Sequence, residues 1–160
     1  MPRSAGTDQF EAAAAALNGP TDSNTADLVA AVGSVYGPDV ETAFDGLWRS
    51  EGHIPGFVAY TQAVAADDQA GADAAVERLL GYAKTFGETL NSLNENLPAD
   101  AVQAAIEMHA TELKAVIDAQ KAGDPAEVAR LTREAVAHMS GTADVLASAT
   151  AALFPEVFSA

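Results

Sequence analysis

Ala122-Gly123-Asp124-Pro125-Ala126-Glu127 reads as the end of one helix and the start of the next. Glycine reaches the left-handed conformation at a helix C-terminus without penalty. An Asp at the cap, a proline at the first helical position and a Glu at the third make a start signal, because the first N–H groups of a helix lack partners within it. So short a turn sets its two helices side by side and antiparallel.

The same punctuation recurs upstream. Gly19-Pro20 ends a first short helix that begins near Thr7, and a second short helix follows the Thr21–Asn24 loop and runs to about Tyr36. Gly37-Pro38-Asp39 repeats the glycine stop and proline start, Asp67-Asp68 opens another helix, and Leu97-Pro98 is a further stop and restart. The expected fold is all-α: an up-down four-helix bundle over 38–66, 69–96, 98–122 and 125–153, preceded by two short helices. Residues 1–6 read as a disordered N-terminus and 7–160 as a single helical-bundle domain.

Apolar stripes support this. Val76, Leu79, Ala83, Phe86, Leu90 and Leu93 form one; Val102, Ile106, His109, Leu113 and Val116 a second; Val128, Leu131, Ala135, His138, Thr142 and Val145 a third. Each steps three residues then four, the spacing of a buried helix seam. Thr25-Ala26-Asp27-Leu28-Val29-Ala30 is echoed by Thr142-Ala143-Asp144-Val145-Leu146-Ala147, which marks 7–36 as a candidate relic of a second C-terminal helix.

Composition excludes several functions. Twenty-three acidic residues against 8 basic ones give a net charge of −15, a field that repels nucleic acid and anionic membrane surfaces. Without cysteine there are no disulfides, thiolate metal sites or iron–sulfur clusters. No apolar run approaches the roughly 18 residues that span a membrane, so no membrane insertion is expected. Met1 to Gly6 carries one charge with no apolar core behind it, so the chain as written has no signal peptide; a trimmed mature domain reads the same way.

The candidate chemistry lies in the three histidines. His109 is 14 residues before Gly123 and His138 is 15 after it, so both sit about 21–22 Å from that turn. His53 is 14 residues before Asp67, and in an up-down bundle those two turns share one end. One layer is therefore expected to hold all three, with Gly81, Tyr82 and Ala83 at the same level. Tyr60 continues the face of His53, while Gly52 and Pro55 can kink the helix near His53.

Neutral imidazole is the commonest nitrogen ligand of zinc, copper, nickel and iron. Three imidazoles with an open position form a recognised zinc site, and two facing across a bundle can ligate haem. The expected metal ligands are His53, His109 and His138, with Tyr60, Tyr82 and Met139 as further contacts to a transition metal (copper or zinc) or haem. A histidine on an apolar seam is otherwise a core residue bonded to a tyrosine, a threonine or the backbone. Glu-x-x-His, the ferritin-like di-metal signature, is absent. Glu134 reads as exposed, Trp48-Arg49 as an anchor of the outer seam, and Phe154 and Phe158 as core plugs. No serine elbow or phosphate-binding glycine loop is present, so no catalytic residue is assigned.

Leu47-Trp48-Arg49, His53-Ile54-x-x-Phe57-Val58-x-Tyr60-Thr61, Met108-His109 and Ala137-His138-Met139 occur in this order. With Asn24-Thr25-Ala26-Asp27-Leu28 and Gly33-Ser34-Val35-Tyr36-Gly37, the chain resembles a family of secreted helical proteins of Gram-positive bacteria. Some members carry a copper-amine-oxidase label that their helical sequences do not support. The resemblance implies an extracellular or cell-surface location and matches the family's histidines to His53, His109 and His138. It departs in two places. Trp48 to His53 is two residues longer, with Glu51-Gly52 as the insertion. An additional N-terminal helix with its own His-x-x-x-Leu has no counterpart, and its loss would leave an apolar flank open to homodimerisation.

Two functional classes follow. One is an extracytoplasmic bundle that binds a transition metal or haem through its histidine layer. The other is a non-enzymatic structural or interaction bundle with core histidines and no cofactor. A metal-dependent enzyme is a weaker third, because the sequence gives no substrate pocket.

Overall fold

The computed structural model describes residues 23–50 and 52–158. The expected N-terminal tail and first short helix lie outside the described residues. Among these residues the chain is helical throughout, with no strand, so the all-α class is what the sequence adopts. The helices are α1 (Ser23–Tyr36), α2 (Pro38–Ser50), α3 (His53–Ala65), α4 (Gln69–Leu93), α5 (Ala99–Ala122), α6 (Pro125–Leu153) and the short α7 (Pro155–Phe158). The chain divides into two compact units, Met1–Tyr82 and Ala83–Ala160, and the division falls within α4.

In the first unit α1 packs on α2 and α2 on α3. Gly37 closes α1 with φ 92°, its N–H bonded to the Gly33 carbonyl at 2.9 Å. Pro38 then opens α2, as its fixed φ and missing N–H suit. The helix expected over 38–66 is in fact two, α2 and α3. Gly52 caps α3 with a non-helical backbone, and Pro55 has no N–H to donate to the carbonyl four residues earlier. Glycine is required there for a close approach: a Cβ on Gly52 would lie 2.9 Å from the Cβ of Tyr82. Phe44, Leu47, Tyr60, Ala63, Ala72, Ala75, Leu79 and Tyr82 are the buried apolar residues around this break.

Asp67 takes a positive φ of 57°, a conformation that Asp tolerates better than most residues. Asp68 caps α4 by accepting from the Gly71 N–H at 3.0 Å, so Asp67-Asp68 is the helix opening that the sequence implied.

In the second unit α5 and α6 form the antiparallel hairpin expected about Gly123. That glycine is left-handed, at φ 73°. The Asp124 N–H reaches back to the Ala119 carbonyl at 3.1 Å, and the Asp124 carboxylate accepts from the Glu127 N–H at 3.0 Å. Caps of this kind contribute about 0.5–2 kcal/mol. Arg130 bonds both Glu127 and Glu134 along the exposed face of α6, so Glu134 is a surface residue.

The seams hold with corrections. Of the expected stripes on α5 and α6, Val102, Ile106 and Ala135 are buried and most of the rest are half-buried, while Ala110, Ala119 and Ala149, outside the stripes, are buried too. Val145, expected inside, is 62% exposed. Ala135 and Ala149 lie two heptads apart and both stay on the seam, while Val145, half a heptad earlier, faces outward. Phe158, expected as a core plug, is 49% exposed, while Phe154 is half-buried. The helix expected over 69–96 ends at Leu93. Asn94 accounts for this: its Oδ1 accepts from the Asn96 N–H at 3.0 Å, folding the chain into a turn.

Candidate functional site

The hairpin arithmetic places two of the three histidines. His109 on α5 and His138 on α6 lie level across the Gly123 turn, and His138 lies close enough for its charge to bear on His109. Glu112 touches His138, and its charge also bears on His109. It follows His109 by three residues, which puts it on the same face of α5 one turn on. Its Oε2 accepts from Nδ1 of His138 at 2.9 Å. A carboxylate only accepts hydrogen bonds, so the shared proton belongs to the imidazole. Both side chains are largely buried, at 23% and 22% exposure, so water competes weakly for the bond.

His109 Nδ1 is buried as well. Burial holds the His109 pKa below its ordinary value; the Glu112 charge opposes this lowering and the neighbouring His138 adds to it. A proton binds the unfolded chain before the folded one, so this contribution to stability is complete above the unfolded value of about 6.5. It is lost as pH falls from there through the folded value. Urea midpoints of the metal-free protein are expected to drop across that window, and to drop less for His109→Phe.

His53 belongs to the first unit and is the first residue of α3. Its ring lies 4.6 Å from that of Trp48, 5.5 Å edge-on from Phe57 and 5.7 Å from Tyr82. Phe44 stacks on Trp48 at 5.8 Å. Trp48 therefore works inside this aromatic cluster, and Arg49 beside it pairs with Asp45 at 2.7 Å. Nδ1 of His53 and the hydroxyl of Tyr82 are both buried, and burial pushes the Tyr82 phenol above its ordinary range. Tyr60 is buried two turns along α3.

Met139 is half-buried beside His138, and Met108 is 55% exposed beside His109. Thr142 turns its hydroxyl to the backbone carbonyl of His138 at 3.2 Å rather than to the ring. Among the described residues, no group of three or more His, Cys, Asp or Glu side chains is arranged to hold a metal ion. None is a membrane-spanning helix either, since no described helix is long and apolar enough to cross a bilayer.

Glu112 is the residue that sequence reasoning missed. The ferritin-like pattern sets a carboxylate three residues before a histidine; here the order is reversed, His109-x-x-Glu112, and the partner is across the hairpin. The arithmetic that sets His109 level with His138 also sets Glu112 within one turn of it, and that signal was available in the sequence. Comparison with protein-family models, with curated proteins and with solved structures returned no match.

Proposed function

We propose that this protein is a non-enzymatic, extracytoplasmic helical protein that takes up a divalent transition metal ion on His109 and His138. The observation that carries the reading is the carboxylate-bonded imidazole on α6 beside a second imidazole on α5. Metal-binding histidines characteristically donate their other ring N–H to a carboxylate. Two side-by-side imidazoles that share the influence of one carboxylate suit a bare ion; a haem needs room for its plane between two axial ligands. Two imidazoles leave the rest of the coordination shell to water, so the loading is exchangeable.

His53 stands apart in this reading. Three aromatic rings surround it, which supports a role in holding the break between α2 and α3 rather than in ligation. Equilibrium titration with zinc and with copper(II), alongside elemental analysis of untagged protein, tests the proposal. One ion per chain is expected for the wild type and for His53→Gln, and loss of binding for His138→Ala and for His109→Ala. No uptake of either metal by a folded wild-type chain would sink it. The second reading, an interaction bundle with core histidines, is favoured by the Glu112–His138 bond itself, which satisfies a buried imidazole without any ion.

A further inference from the structure

We propose that Glu112 is a positioning residue for the histidine pair: it fixes the neutral His138 ring in the Nδ1–H tautomer, leaving Nε2 as the nitrogen that binds the metal. The inference rests on the metal-binding reading above and adds to it the residue that prepares the ligand. Its basis is geometric. Neighbouring polar and charged side chains bond along their own helices: Glu107 with Gln103, Asp118 with Lys114, and Glu127 and Glu134 with Arg130. Glu112 instead reaches across the hairpin to a ring 26 residues away, at 2.9 Å. A surface carboxylate bonding within its helix contributes little. One three-quarters buried, and bonded to a ring held equally far from water, fixes that ring's orientation.

The consequence is specific to one nitrogen. Neutral imidazole in water favours the Nε2–H form, and the hydrogen bond at one ring nitrogen decides which nitrogen remains free for a ligand. With Nδ1 donating to Glu112, the lone pair is on Nε2. The negative charge beside the pair also favours a divalent cation over a neutral or monovalent occupant.

The test has two readouts on one set of proteins. The first is the long-range proton–nitrogen spectrum of the histidine rings in metal-free protein, recorded above the imidazole titration range. The second is affinity for zinc alone. In the wild type His138 is expected as the Nδ1–H tautomer. Glu112→Gln keeps an acceptor at this place, so the tautomer is expected to persist with a modest loss of affinity. Glu112→Ala is expected to revert His138 to the Nε2–H form and weaken zinc binding about 10–100-fold. A wild type with His138 in the Nε2–H form overturns the proposal, as does Glu112→Ala with tautomer and zinc affinity unchanged. A Glu112-dependent Nδ1–H tautomer in a chain that takes up no zinc supports the positioning contact and overturns the metal-binding reading, so the two failures are told apart.

Discussion

Gly87→Ala is expected to destabilise the protein, although alanine is the better helix former by about 1 kcal/mol. Gly87 is buried on α4 within the second unit. A Cβ there would collide with the carbonyl oxygen of Ala99 and lie 3.1 Å from the Gln103 nitrogen. Both are backbone atoms of the start of α5, so no rotamer change relieves the clash and the two helices must move apart. Overpacking of this kind costs about 1–3 kcal/mol, and the net loss lowers the midpoint of thermal unfolding by several degrees. Gly141→Ala is the control. Nothing lies within 4 Å of a Cβ at Gly141, which is exposed on α6, so there the propensity gain stands alone and the midpoint rises. Differential scanning calorimetry of the two variants reads opposite signs if helix contact, and not glycine content, sets the outcome.

Asn94→Ala is the second large effect. Asn94 is 1% exposed. Its Nδ2 donates to the Ala149 carbonyl at 3.0 Å, linking the end of α4 to α6, while Oδ1 holds the turn through Asn96 N–H. Removing the amide strands buried polar groups at about 1–3 kcal/mol and leaves a cavity beside them. Equilibrium urea denaturation is expected to show a loss of about 2–4 kcal/mol. Asn94→Asp distinguishes the polar link from mere volume. It keeps the acceptor for Asn96 but sets an oxygen against the Ala149 carbonyl, so it is expected to destabilise at least as much. A mild Asp variant with a severe Ala variant would assign the effect to volume instead.

These two positions also show where the sequence stops being legible. The Gly123-Asp124-Pro125 turn was readable because each of its residues acts on the backbone next to it: a left-handed glycine, a cap carboxylate, a proline that needs no donor. The Gly37-Pro38 and Asp67-Asp68 junctions were readable for the same reason. The end of α4 was not. No glycine or proline stands at Leu93, and the helix stops because the Asn94 side chain finds partners at Asn96 and at Ala149, the latter 55 residues away. The interruption between α2 and α3 was half legible. Gly52 and Pro55 signal a kink, but a complete break also depends on how closely Gly52 approaches Tyr82.

The candidate site divides the same way. The level pairing of His109 and His138 follows from counting residues on either side of one turn. The surroundings of His53 do not, since Trp48, Phe57 and Tyr82 come from three helices and meet through the break itself. Glu112 lay within reach of the counting argument, but the pattern sought was local to one helix and the bond crosses two.

The most direct test of the account is to follow the histidine ring nitrogens of the wild-type protein during a zinc titration. Zinc is expected to shift the His109 and His138 signals together, saturating at one ion per chain, with the His53 signals unmoved. Signals from His109 and His138 that stay in place through the titration would contradict the central claim and return both rings to the hydrogen-bonded core.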